Sequence, residues 1–237
     1  MIRWHLYALR QWDQLSAQRV DHLIANSRFT ARRIRKHSGR EASVIHPRVE
    51  VDRFRWDADH DDVYLCLCRL FPYKWVDLVV EAFNRLGLPL LVVGDGPEGG
   101  TIGSSGRFRR HLARASLPAQ QVEEPMARCR AFLYAGLENF GIAPVEAMAA
   151  GAPVIGLGRG GLLDTVRCAY AGLRELTGVL FPDQNVESLV HTVEWFEQDR
   201  IWRSLHSESI RAWVESFRPE AFAARFESAL RTAWSTH

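Results

Sequence analysis

The sequence has little of what marks membrane-spanning, secreted or nucleic-acid-binding proteins. No apolar stretch approaches the roughly 20 residues that a membrane-spanning helix needs, and the first residues carry no apolar core of a signal peptide. The net charge is only +2 over 237 residues, which is too weak to argue for a nucleic-acid partner. We therefore expect no nucleic acid among its partners.

Cysteine is scarce too, with four residues, at positions 66, 68, 129 and 168. Their spacing matches no set of zinc ligands, and the nine histidines form no metal cluster in the sequence, so no metal is predicted. Cys66 and Cys68 stand two apart in an apolar run, which favours packed free thiols on one face of a strand. Because free thiols persist in a reducing compartment, we expect a cytoplasmic protein.

What remains is ordinary for a globular fold, with 47% hydrophobic and 24% charged residues. Short apolar runs alternate with amphipathic stretches, which is typical of an α/β fold with a parallel sheet and flanking helices. Strands are predicted at residues 20–27, 63–68, 90–93, 131–134, 154–157 and 177–182. Helices are predicted at residues 1–20, 28–37, 76–86, 144–150, 186–196, 201–217 and 222–234.

The stretch between Gly99 and Gln121 departs from this alternation, because it is small, polar and basic. No strand is legible in it. A divergent loop and a damaged reading frame both explain such a segment, and the residues do not decide between them.

Two carboxylates stand in the unit of strand, loop, helix and strand around residues 131–157. Pro144 suits the first position of the short helix and Gly151 the position after its end, which places Glu146 in the first turn and Glu138 on the loop. Both then lie at the carboxyl edge of the sheet, where open α/β folds bind ligands. Taken singly, Glu146 is also explained by the helix dipole, and Glu138 is also explained as a solvated loop residue.

A pair of cations follows the strand at residues 63–68. Arg69 and Lys74 flank a turn at its carboxyl end, so both can reach one site and offset the charge of a diphosphate. Two unconnected surface cations are the alternative.

A Gly-rich loop, residues 158–161, runs into another helix. The backbone amides at the start of that helix suit an anion, although tight turns also select glycine.

The phrase from Glu138 to Gly151 resembles the Glu-x7-Glu signature of retaining nucleotide-sugar glycosyltransferases, family four, which have the two-domain GT-B fold. The phrase from Arg69 to Lys74 resembles the diphosphate clamp of the same family. The resemblance implies a Rossmann-like parallel sheet, the C-terminal half of a GT-B fold. It implies catalytic and donor-binding roles for two sets of residues: catalytic Glu138, Arg69 and Lys74, and donor-binding Glu146, Phe140, Gly141, Ile142 and Gly161.

The resemblance also implies a mechanism that needs no cofactor and no metal. The donor would be a nucleotide-diphosphate sugar, with GDP-mannose as first choice, and the acceptor a glycan or lipid-linked glycan, as in polysaccharide biosynthesis. Glu146 would hold the ribose, while Arg69 and Lys74 would neutralise the leaving diphosphate. Glu138 and the amides of residues 140–142 would orient the sugar, and transfer would retain configuration without a glutamate nucleophile.

Three departures from the family pattern bear on this interpretation. Trp75 stands where relatives often carry a basic residue, and Asp164 stands where they carry glutamate. A complete relative would also carry a whole acceptor-side domain before residue 50. We therefore expect residues 1–50 to be a remnant of that domain plus a connector, with residues 51–237 forming the donor domain.

These features leave several alternatives open. The chain is either a glycosyltransferase or a truncated, non-catalytic donor-binding module that needs a separate N-terminal half. A third alternative is another enzyme with the GT-B fold, such as a nucleotide-sugar epimerase. The basic helix at residues 28–37 is either a solvated face or a peripheral contact with phospholipid at the inner membrane face.

Overall fold

The structure, a computed structural model, describes residues 2–97, 112–115, 118, 121–168 and 175–235. Eight strands lie in these ranges: β1 Ile24–Ala25, β2 Ser43–Val44, β3 Tyr64–Leu67, β4 Leu90–Val93, β5 Leu112–Ala115, β6 Phe132–Tyr134, β7 Val154–Leu157 and β8 Gly178–Phe181. Strands β3 to β8 form one six-stranded sheet, and β1 and β2 pair separately. All pairs are parallel.

The strand order of the main sheet is β5-β4-β3-β6-β7-β8. Strands β4 and β5 follow one another outward on one side of β3. The chain then crosses to the other side of β3, where β6, β7 and β8 follow in order. This order reverses between β3 and β6, and such a point opens a crevice at the carboxyl ends of the strands. The predicted α/β fold with a Rossmann-like parallel sheet is thereby confirmed.

Nine α-helices lie in the described residues: α1 Ile2–Gln18, α2 Arg28–Ser38, α3 Val76–Leu86, α4 Glu123–Arg128, α5 Ile142–Ala149, α6 Leu162–Thr165, α7 Val186–Gln198, α8 Ser207–Val214 and α9 Pro219–Ser235. None of the helices in these ranges is long and apolar enough to cross a bilayer. Helix α3 packs against α7, and α5 against α8.

The central strands are buried because their sequences are continuous apolar runs. Every residue of β6 and β7 is buried, as is expected of parallel strands covered on both faces. Helix boundaries follow local chemistry. The Ser27 side chain accepts a hydrogen bond from the Thr30 amide and so caps the start of α2. Gly87, at φ 71°, ends α3.

Two boundary predictions were wrong. Helix α5 begins at Ile142, not Pro144, because Gly141 adopts φ 89° and starts the helix earlier; Pro144 still fits the first turn, where its missing N–H costs no hydrogen bond. Residues 201–217 form no single helix, because Leu205 and His206 separate a 3-10 turn from α8.

No apolar strand is legible in the sequence between residues 99 and 121, yet a short strand lies there. Strand β5, Leu112–Ala115, pairs with β4 at the edge of the sheet. An edge strand needs a backbone ladder on one side only, so a short sequence with an arginine serves without a long apolar run. The rest of that stretch, residues 98–111, 116–117 and 119–120, lies outside the described residues.

The N-terminal segment, residues 2–50, is joined to the main sheet domain through packed contacts. Strand β1 has a parallel partner in β2, in a stretch expected to be only a connector. The His46 ring stacks on Phe140 with centroids 5.5 Å apart, and the Val49 amide donates to the Phe217 carbonyl at 2.8 Å. The segment therefore forms one wall beside the sheet edge.

Candidate functional site

A cavity of about 430 Å³ opens where the strand order reverses. Its lining comes from the ends of β3 and β6, the loops after them, the start of α5 and two residues of the N-terminal segment. The lining residues are Asn26, Pro47, Leu67, Cys68, Arg69, Tyr73, Lys74, Tyr134, Glu138, Asn139, Phe140, Gly141, Ile142 and Ala143. The cavity therefore brings together six of the eight predicted site residues.

The polar centre of this cavity is a triangle formed by Lys74, Tyr134 and Glu138. The Lys74 Nζ donates to Tyr134 Oη at 2.9 Å and makes a direct ion pair with Glu138 Oε1. The Tyr134 hydroxyl donates to the same carboxylate oxygen at 2.8 Å. The Lys74 and Glu138 side chains are 14% and 24% exposed, so the pair is partly shielded from water yet reachable from the cavity.

Arg69 supplies the second positive charge. It lies two residues after the end of β3, is exposed, and lines the same cavity as Lys74. Lys74 ends a 3-10 turn, Pro72–Lys74, and the next residue, Trp75, adopts φ 56° before α3 begins. The turn thus folds the chain back, so that Arg69 and Lys74 both line the same cavity. Two cations placed in this way suit an anion with two negatively charged groups.

The Gly-rich loop supports the Glu138–Phe140 loop from behind. The Gly161 amide donates to the Glu138 carbonyl at 2.8 Å. A Cβ on Gly161 would lie 2.3 Å from Phe140 Cα and 2.4 Å from the Asn139 carbonyl oxygen, so only glycine allows this approach. In this structure, therefore, the Gly161 amide holds a loop of the site, and its predicted contact with a donor stays a prediction.

Glu146 lies apart from the triangle. It occupies the second turn of α5, not the first as predicted, and is absent from the described lining of the cavity. Burial raises the pKa of Glu146, and the charge of Arg53 partly opposes this. Its predicted contact with a ribose stays a prediction.

Asp164 has a role that the sequence did not reveal. Its side chain, 3% exposed, accepts hydrogen bonds from the Arg28 amide at 2.6 Å and the Arg28 Nε at 2.9 Å, and lies 3.2 Å from His46 Nε2. Burial would raise the pKa of Asp164, but the hydrogen bonds from His46 and Arg28 outweigh it and lower the pKa to about 2. Asp164 therefore ties the N-terminal segment to α6, the helix that follows the Gly-rich loop.

The sequence pattern places Tyr134 only in a buried strand and gives no sign of its part in the site. The available clue was its position as the last residue of β6, beside the strand that ends before Arg69. At the carboxyl edge of a parallel sheet a terminal tyrosine places its hydroxyl among the groups that follow neighbouring strands.

Comparison with known families and proteins gives consistent results. Residues 49–216 match the family model described as glycosyl transferases group 1. The D-inositol 3-phosphate glycosyltransferase of Mycobacterium tuberculosis (strain ATCC 25618 / H37Rv) is 28% identical over 186 residues, which cover 68% of this chain and 38% of that protein. The chain thus spans about two fifths of the length of such curated relatives.

Solved structures share the fold at low identity. Sucrose-phosphate synthase from Thermosynechococcus elongatus superposes with a TM-score of 0.78 at 20% identity, over 96% of this chain and 62% of that one. Anabaena HepE in complex with UDP and glucose gives a TM-score of 0.75 at 18% identity, over 92% of this chain and 64% of that one. These likenesses show a shared parallel-sheet architecture.

Proposed function

The chain belongs to the group 1 glycosyl transferases, and from that premise we propose that its cavity binds a nucleotide-diphosphate sugar for glycosyl transfer. The observation that carries the proposal is the placement of Arg69 and Lys74 in one cavity with Glu138, at the reversal of strand order. Two cations at that point match a diphosphate, whose negative charge grows as the sugar leaves.

The proposed roles combine these contacts with the resemblance to the family. Arg69 and Lys74 bind the diphosphate, Lys74 after release from its ion pair with Glu138. Glu138, freed by the same exchange, accepts hydrogen bonds from hydroxyls of the sugar, while the amides at the start of α5 donate to the sugar oxygens. Glu146 holds the ribose. We propose that a hexose, mannose first, is transferred with retention of configuration, without a covalent glutamate intermediate of the glycosidase type.

The base of the donor is proposed from resemblance alone, so the experiment must choose it. GDP is the first candidate, while the solved Anabaena HepE structure contains UDP. Isothermal titration of the chain with GDP, UDP and ADP tests the proposal. We expect one nucleotide to bind, with binding lost in Lys74→Ala and kept in Lys36→Ala, since Lys36 is the only other lysine. Binding unaffected by Lys74→Ala would refute the assigned site.

The acceptor and the completeness of the enzyme are further proposals. We propose that a glycan or lipid-linked glycan accepts the sugar, and that residues 1–50 are the end of an acceptor-side domain. The alternative is a donor-binding module that is catalytic only with a separate N-terminal half. Hydrolysis or transfer assays with and without such a half distinguish the two, because a module alone would bind donor without turning it over.

We also propose a peripheral membrane contact through α2, from a cytoplasmic location. Three of its arginines already have protein partners: Arg28 binds Asp164, Arg33 Nη1 donates to Asn139 Oδ1 at 2.9 Å, and Arg35 pairs with Glu41 at 3.2 Å. Arg32 and Lys36 remain exposed on the same helix and would face anionic lipid. Co-sedimentation with phosphatidylserine vesicles at low salt, lost on replacing both residues by glutamine, is the expected result. No co-sedimentation would refute the contact.

A further inference from the structure

The Tyr134 hydroxyl is buried and fully engaged between two charged groups of the cavity. The residue is 5% exposed and ends β6. Its oxygen accepts from Lys74 Nζ at 2.9 Å and its proton is donated to Glu138 Oε1 at 2.8 Å. A buried hydroxyl costs free energy unless it is hydrogen-bonded, so this geometry joins the hydroxyl specifically to the two site residues.

Lysine is a flexible partner for a diphosphate, because its ammonium ends a four-carbon chain with many rotamers. Both Glu138 and Tyr134 hold that ammonium. A diphosphate that binds this ammonium displaces the Glu138 carboxylate, and the lysine thereby loses one of its two hydrogen-bond partners. The Tyr134 hydroxyl is then the hydrogen-bond partner that remains, since Tyr73 offers the ammonium only its ring face, at 5.1 Å. The Tyr134 ring stacks beside Phe132 in the sheet at an interplanar angle of 12°.

We propose that Tyr134 is a positioning residue, which keeps the Lys74 ammonium directed into the cavity when a donor displaces Glu138. The inference rests on the proposed function, and it identifies the Tyr134 hydroxyl as the group that keeps the lysine side chain in place. Burial, and then the charge of Glu138, raise the pKa of Tyr134. The hydroxyl therefore stays protonated, and remains a hydrogen-bond donor, throughout the neutral range.

A matched control exists on the neighbouring strand. Tyr64 is 1% exposed in β3 and its hydroxyl donates to Glu197 Oε1 at 2.5 Å. Neither Tyr64 nor Glu197 lines the described cavity. Tyr64→Phe thus removes an equally buried hydroxyl from a carboxylate partner, and Tyr134→Phe does the same inside the site.

The first test is titration with the nucleoside diphosphate that binds the wild-type chain, beside its monophosphate. We expect Tyr134→Phe to bind the diphosphate roughly fivefold more weakly, the size of one typical hydrogen bond, with unchanged affinity for the monophosphate. Tyr64→Phe should match wild type for both. Equal diphosphate affinity in Tyr134→Phe and wild type overturns the proposal, as does an equal loss for both nucleotides, which indicates general damage.

The second test needs no nucleotide. The chain has two lysines, Lys36 and Lys74, so selective ¹⁵N-lysine labelling gives two side-chain ammonium signals. We expect slow hydrogen exchange of the Lys74 ammonium in wild type and Tyr64→Phe, and faster exchange in Tyr134→Phe. Unchanged exchange overturns the positioning role. If wild type binds neither nucleotide, the proposed function fails, while the ammonium signals still report whether Tyr134 holds Lys74.

Discussion

Replacing Glu138 by glutamine should tighten the binding of a nucleoside diphosphate. The carboxylate now pairs with the Lys74 ammonium, so a diphosphate has to compete with it for the same charge. Glutamine keeps the size of the side chain and removes the competing negative charge. The sugar-free nucleotide makes no use of Glu138 in the proposed arrangement, so it should gain affinity.

The magnitude follows from the exposure of the pair. A buried hydrogen bond to a charged group contributes about 1.5–3 kcal/mol, whereas exposed ion pairs contribute about 0–1 kcal/mol. The two side chains are 14% and 24% exposed, which places the competing contact at about 1 kcal/mol. Its removal should tighten binding roughly fivefold.

Isothermal titration with the free diphosphate and with the intact nucleotide sugar measures this directly. The nucleotide sugar should gain less than the diphosphate, because the variant loses hydroxyl contacts of Glu138. Glu187→Gln is the control, since Glu187 pairs with Arg85 and does not line the cavity. Weaker or unchanged diphosphate binding in Glu138→Gln would show that Lys74 is not the group that the diphosphate takes.

Three further predictions test the surroundings of the cavity. Glu146→Ala should weaken nucleotide binding roughly tenfold through loss of a charged hydrogen bond and leave pyrophosphate binding unchanged in the same titration; an equal loss for both would exclude a ribose contact. Asp164→Asn should destabilise the chain by about 2 kcal/mol at pH 7, because the native pKa of about 2 lies below the unfolded value. That stability is lost as pH falls from about 4 to about 2, so urea unfolding curves of variant and wild type should converge in acid, and a constant difference would contradict the pairing. Gly161→Ala should cost roughly 1–3 kcal/mol in thermal unfolding, since its Cβ meets Phe140 Cα at 2.3 Å; an unchanged melting temperature would contradict the close approach.

Much of the fold was predictable because long apolar runs identify buried parallel strands. Strands β4 and β7 and helix α3 lie where the pattern predicted them. Elements that depend on backbone pairing alone were not predictable. Strand β5 is four residues long and β2 only two, too short to leave a pattern, and only their pairing with β4 and β1 defines them.

The site shows the same division between local pattern and tertiary contact. Arg69 and Lys74 were predicted to reach one site because they flank a turn at the carboxyl end of a strand, and the family resemblance placed Glu138 with them. All three line one cavity. Tyr134 and Asp164 were not assigned their roles, because each contacts partners distant in sequence. Lys74 is 60 residues from Tyr134, and Arg28 is 136 residues from Asp164.

The most direct measurement of the central claim is a crystal structure of the chain with its nucleoside diphosphate bound. We predict that the β-phosphate lies within hydrogen-bonding distance of Lys74 Nζ and of the Arg69 guanidinium, with Glu138 turned away from the lysine and Tyr134 still in contact with it. A diphosphate bound elsewhere, with the Lys74–Glu138 ion pair intact, would contradict the account.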